Sequence, residues 1–299
     1  MKKKVFLFGL LFSLLLLCGC GVNLTSTVKL NKDFSGTRVM SCTFSSRDFH
    51  SYFKGSKEDL NKLIKESCPD ALTYTSSSSD GNDTYTFYLR FSSLDDYKKK
   101  VRDLLNFSPE ITYEYGDSPF VSGLIYKENF TSKDLMTWLY TALYEGKYID
   151  KDSSSDLWDL KSTEISFLGT TYETKDKINI DEMAYVPLSS IHIDTKTKKS
   201  GKLARVIEFD LPQQTLDQNA GKIRSYFAGN DITWENTSDG KTLCISFDAN
   251  NFSDLAQKTR TVLHSKNSFG TYSSTCSKDN PFTLKINYEE SLDLSHFIQ

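Results

Sequence analysis

Apolar and polar residues alternate twice along this chain in the same arrangement. Over Leu24–Phe44 (LTSTVKLNKDFSGTRVMSCTF) two alternating stretches flank Ser35-Gly36. Over Ile191–Phe209 (IHIDTKTKKSGKLARVIEF) two more flank Ser200-Gly201. In the first copy Arg38, Met40, Cys42 and Phe44 fall on one face and Val39, Ser41 and Thr43 on the other, the period of a half-buried strand. Each stretch therefore predicts a hairpin with a Ser-Gly turn.

The same succession of signals follows each hairpin. Near Ser56 a helix should start, with Leu60, Leu63 and Ile64 on one face and Pro69 ending it. Its counterpart should be capped by Thr215 and run to about Phe227. Short strands at Leu72–Tyr74 and Ile232–Trp234 lead to Asp80-Gly81 and Asp239-Gly240, turn pairs suited to positive φ. Beyond them Tyr85, Phe87, Leu89 and Phe91 alternate with polar residues, as do Leu243, Ile245 and Phe247. A second helix comes next in each copy, Leu94–Asn106 and Phe252–His264, with Asp96/Asp254, Lys100/Lys258 and Arg102/Arg260 in step. Those shared charges read as a solvated helix face.

A third matched segment runs from Pro119-Phe120 through Tyr126 and Glu128, against Pro281-Phe282 through Tyr288 and Glu290. Asp134-Leu135 and Asp293-Leu294 should then open matching helices. The first is long, with Leu135, Trp138, Leu139, Ala142 and Leu143 in one stripe, and the second is cut short at Gln299. Between the copies, Thr163–Tyr172 and Lys177–Tyr185 read as strands that complete the first sheet or bridge the copies.

The expected fold is α+β: two tandem similar units, each a mostly antiparallel sheet with helices on one face. The expected divisions are a leader at 1–19, a first unit at 20–147, a connecting segment at 148–188 and a second unit at 189–299.

The N-terminus supplies an address. Lys2, Lys3 and Lys4 precede an apolar run from Val5 to Leu17, too short for a span needing about 20 apolar residues. Leu17-Cys18-Gly19-Cys20 closes it and resembles the bacterial lipobox, in which the final Cys is lipidated. Cys20 is thus the expected new N-terminus, tied to the membrane by its acyl chains. The expected location is extracytoplasmic, at the bacterial cell membrane.

Net charge is −3, and removal of the leader takes three lysines and no acid, so the remainder is more acidic still. That balance argues against a nucleic-acid partner. Beyond Cys20, Cys42, Cys68, Cys244 and Cys276 admit three disulfide pairings, and buried free thiols are the other reading. With no C-x-x-C or Cys/His cluster, a zinc site is not expected.

Catalytic signatures are missing: G-x-S-x-G, H-E-x-x-H and phosphate-cradling glycine patterns do not occur. No cofactor is implied. Asp150, Asp152 and Asp156 place oxygens at alternate positions like the start of a calcium loop, but Ser155 and Lys161 stand where that loop needs Gly and Glu. A polar loop is the simpler reading. His192, between Ile191 and Ile193, should face solvent. Tyr113, Tyr115, Tyr126, Tyr140, Tyr144 and Tyr148 cluster in the first copy and read as core and rim packing.

The lipobox followed by a strand, the turn Asn31–Thr37 and a second strand is similar to the opening of LppM-type bacterial lipoproteins. That resemblance covers residues 20–45 and implies a lipid-anchored α+β domain with lipid or glycolipid binding in one branch. The leading expectation is a non-catalytic envelope lipoprotein that binds a protein partner or an amphiphilic or glycan ligand. An envelope hydrolase with a site assembled only in three dimensions, and a structural or assembly accessory, are the alternatives.

Overall fold

A computed structural model describes residues 22–46, 53–150, 157–265, 269–276, 284–294 and 296–297, with the side chains of 274–276 and 284–285 outside that description. The fold is α+β. The chain forms two compact units, one of residues up to Tyr113 with Ile125–Asp181, the other of Glu114–Leu124 with the chain from Glu182 onward.

In the first unit β1 (Val22–Leu30) and β2 (Gly36–Ser45) form the expected hairpin, and Arg38, Met40, Cys42 and Phe44 are buried on one face. Helix α1 (Lys57–Ser67) begins at Ser56, whose side chain and that of Asp59 close a capping box. Strands β3 (Thr73–Ser79) and β4 (Asn82–Phe91) turn at Asp80 and Gly81, both with positive φ, as an Asp-Gly hairpin requires. Helix α2 (Leu94–Leu105) is capped by the Ser93 side chain and ends on Asn106 in the left-handed region.

Strands β5 (Ile111–Asp117) and β6 (Val121–Glu128) follow, then a short 3-10 turn at Asp134–Met136 and helix α3 (Thr137–Glu145). The connecting segment is more broken than its pattern predicts. Where one strand is expected over 163–172, β7 (Trp158–Phe167) and β8 (Thr170–Thr174) pair across Leu168-Gly169, both at positive φ. A run of Thr and Tyr hides that turn, because only Gly169 marks it. The stretch from Lys177 yields two short strands, β9 (Asn179–Asp181) and β10 (Ala184–Tyr185), both paired to β6.

The main sheet of this unit runs β3-β4-β2-β1-β7-β8, with β7 parallel to β1 and the other pairs antiparallel. Leu60 and Ile64 of α1, Tyr97, Val101 and Leu104 of α2, and Leu139 and Leu143 of α3 are buried with the apolar strand positions. Across β2 and β4, hydroxyl pairs Ser41–Thr86 and Thr43–Thr84 occupy the other, polar positions.

The second unit holds β11 (Ser190–Thr197), β12 (Leu203–Pro212), helix α4 (Gln213–Tyr226), β13 (Ile232–Asn236), β14 (Gly240–Ala249), helix α5 (Phe252–Val262) and the hairpin β15 (Phe269–Cys276) and β16 (Leu284–Ser291). Its sheet order is β11-β12-β14-β13. Phe120, next to β6, lies in this core beside Phe209, Phe227 and Phe297.

Two helix expectations are corrected here. Thr215 does not cap α4, which starts directly after Pro212 with the end of β12. Thr215 is instead buried, its hydroxyl donating to the Pro187 carbonyl at 2.6 Å. Nor does Asp293-Leu294 open a helix: residues 292–294 are irregular, and Phe297 N–H donates to Leu294 O in a turn. Phe297 is buried in the aromatic core.

Candidate functional site

The most enclosed polar cluster lies in the first unit. Arg38 sits on the apolar face of β2, where burial would ordinarily expel a charge. Its Nη1 donates to Glu128 Oε2 and to Tyr97 Oη, both at 2.7 Å, and Nη2 donates to Ser132 Oγ at 2.9 Å. Tyr97 Oη donates to Glu128 Oε1 at 2.7 Å, Tyr126 Oη donates to the same oxygen, and Ser132 is linked to Thr163 at 3.2 Å. Burial opposes the Arg38 charge, but Glu128 with Tyr97 and Tyr126 outweighs it and holds the guanidinium protonated. Burial likewise pushes the Tyr97 and Tyr126 hydroxyls well above the usual phenol range. The cluster is closed to substrate on every side and its acid and base are already spent on each other. It organises a core.

A similar pair stands in the second unit. Arg205 Nη1 meets Glu290 Oε2 at 2.7 Å and donates to Thr259 Oγ1 at 2.7 Å. Its Nε donates to Thr195 Oγ1 at 3.0 Å.

Serine, histidine and carboxylate do converge once. Ser190 and His192 share a face of β11, and Asp210 is the register partner of Ser190 on β12. A nucleophilic triad puts histidine between the other two, one ring nitrogen to each. Here Ser190 Oγ donates directly to Asp210 Oδ2. One nitrogen, His192 Nε2, lies 3.1 Å from Ser190 Oγ and 3.6 Å from Asp210 Oδ2. Bonds from Ser190 and Thr242 hold the Asp210 carboxyl below its usual range. The serine proton is thus committed to the carboxylate, and the cluster ties β11 to β12. As expected, His192 is solvent-exposed.

A third arrangement has room for a ligand. The C-terminal turns of α1 and α2 and the length of α3 enclose a groove of about 660 Å³. Leu63, Leu104 and Ala142 supply apolar walls and Phe107, 49% exposed, stands at the rim. Trp138 also lines it; its ring packs edge-on to Phe87 at 5.4 Å, and its buried Nε1–H has no hydrogen-bond partner. A groove of this size falls in the range of small-molecule sites, about 300–1,000 Å³. Sequence periodicity marks α3 as amphipathic but carries no sign that its stripe is only partly covered.

The other sequence-derived positions are placed as follows. Cys20, Asp152 and Asp156 lie outside the described residues. Asp150 is exposed and pairs with Lys54. Cys42, Cys68 and Cys244 carry free thiols, Cys42 and Cys244 buried, while the Cys276 side chain is outside the description. Of the tyrosines, Tyr126 is in the core, Tyr148 stacks on Phe53 and Tyr140 stacks on the exposed Tyr144. Among the described residues no group of His, Cys, Asp and Glu is arranged to hold a metal, and no helix is long and apolar enough to cross a membrane. Compared with known proteins, the sequence matches no family model, and no curated protein matches it significantly.

Proposed function

We propose that the chain is a lipid-anchored, extracytoplasmic envelope protein of two tandem similar α+β units that binds an amphiphile without transforming it. The duplication is supported by strand order, β3-β4-β2-β1 beside β13-β14-β12-β11, and by an Arg–Glu pair at matched sequence positions, Arg38–Glu128 and Arg205–Glu290. The anchor rests on the leader and on Cys20 within its lipobox. A Cys20→Ala chain that still fractionates with membranes would sink it.

The observation that carries the binding reading is the groove among α1, α2 and α3, walled by Leu63, Leu104 and Ala142. Burying an alkyl chain there contributes roughly 0.8 kcal/mol per methylene. Isothermal titration of the purified chain with decyl maltoside below its micelle concentration should show saturable binding. Thr141→Trp, at an exposed position lining the groove, should abolish it. No saturable heat, or an unchanged affinity in T141W, rejects the groove as the site.

A further inference from the structure

The groove has a sign. Asp103, Asp134 and Glu145 line it, and no Lys, Arg or His does. The nearest guanidinium to Asp103, that of Arg102 at 3.8 Å, lies outside the lining. Asp134 is fixed by bonds from the Thr131 N–H and hydroxyl at 2.7 and 2.9 Å, whereas Asp103 and Glu145 are exposed.

A second feature acts in the same direction, independently of the carboxylates. Ser67 ends α1, and Leu104, Leu105 and Asn106 end α2, and all four line the groove. The last carbonyls of a helix carry the negative end of its dipole, equivalent to about half an elementary charge. The C-terminal turns of two helices and three carboxylates thus surround one partly apolar space. An anionic head group would be repelled there, and a neutral one gains no charge interaction. A cationic head would meet the carboxylates at the mouth while its alkyl chain follows Leu63, Leu104 and Ala142 inward.

We propose that the groove selects a cationic amphiphile: one alkyl chain carrying an amine or quaternary ammonium head. This rests on the reading of the groove as an amphiphile site. The rim aromatic, Phe107, adds a π-face suited to such a cation. Because Asp103 and Glu145 are exposed, the preference should weaken with salt.

The test compares decyltrimethylammonium, decyl maltoside and decanoate by calorimetry on the purified chain, each below its micelle concentration. The ammonium should bind at least ten-fold more tightly than the maltoside, and decanoate most weakly. Asp103→Asn with Glu145→Gln should bring the ratio of ammonium to maltoside affinity, both measured on the variant, down to about one. Both residues are exposed and neither caps a helix start, so the fold should survive. Equal affinity for ammonium and maltoside in the native chain, or an undiminished preference in the double variant, overturns charge selection and leaves amphiphile binding standing. Absence of saturable binding by all three overturns both.

Discussion

Arg38 on β2 and Glu128 at the end of β6 meet at 2.7 Å with their side chains 1% and 0% exposed, and no water-facing atom softens the contact. Removing one member strands the other charge in the core, at a cost of about 3–5 kcal/mol. Arg38→Met or Glu128→Gln should therefore destabilise the first unit by that amount. Replacing both with apolar residues of similar volume should cost much less. In the second unit Glu290 retains 10% exposure, so Glu290→Gln should cost less than Glu128→Gln. Hydrogen exchange read unit by unit during urea titration measures both. Equal losses in the two units would contradict the burial argument.

Alkaline pH should loosen the first unit before neutral or mildly acidic pH does. Burial raises the Cys42 thiol and the Tyr97 and Tyr126 hydroxyls above their ordinary values, and pushes Tyr85 up to about 12. Each group thus keeps its proton in the folded chain at a pH where the unfolded chain has lost it. The contribution of these groups is complete well below about pH 8.5, the midpoint of a free thiol, and is lost as pH rises. Each group contributes a slope of about 1.4 kcal/mol per pH unit above its unfolded value. Urea midpoints between pH 7 and 11 should fall with steepening slope, and Tyr97→Phe should lessen the steepening near pH 10. A flat profile through pH 11 would be incompatible with these buried protons.

Much of this fold was readable from short-range signals. The Ser56 cap, the Asp80-Gly81 turn and the period-2 burial of β2 and β4 each depend on a few neighbouring residues, and each stands where the pattern puts it. The parallel pairing of β7 with β1 is different, because the strands are far apart in sequence and register across such a distance leaves no local mark. Arg38 could be placed on an apolar face, but its partner lies ninety residues away. Cys244 alternates with Leu243 and Ile245 yet is buried with them, in register between Glu208 of β12 and Thr233 of β13. The groove was not legible at all, being defined by three helices leaving space.

The two Ser-Gly turns look alike in sequence but ask different things of their glycines. In the first hairpin Phe34 takes positive φ, and Gly36 is needed for space: a Cβ there would stand 2.1 Å from the Lys29 carbonyl oxygen. In the second, Gly201 itself has φ +81 and its Cβ would meet nothing. Gly201→Asn should be tolerated within about 1 kcal/mol, because Asn enters the left-handed region more readily than other side chains. Gly36→Asn should cost at least about 1–3 kcal/mol through overpacking. Thermal denaturation of the two variants decides it, and the reverse order would refute this division of roles.

The Ser190–His192–Asp210 cluster allows the hydrolase alternative to be tested directly. A serine whose proton is held by a neighbouring carboxylate, with histidine offering the same nitrogen to both, lacks the relay that generates an alkoxide. The chain should therefore show no labelling at Ser190 by a fluorophosphonate, a reagent that reacts with activated serines. Ser190→Ala should instead weaken the pairing of β11 with β12, by about 0.5–1.5 kcal/mol for a lost hydrogen bond. It should also release Asp210 from its depressed pKa, since the Ser190 bond is the largest cause of that depression. NMR titration of the Asp210 carboxyl carbon would show the midpoint moving up toward the ordinary range. Labelling of Ser190, abolished by His192→Ala, would instead establish an activated nucleophile and make the enzyme reading the better one.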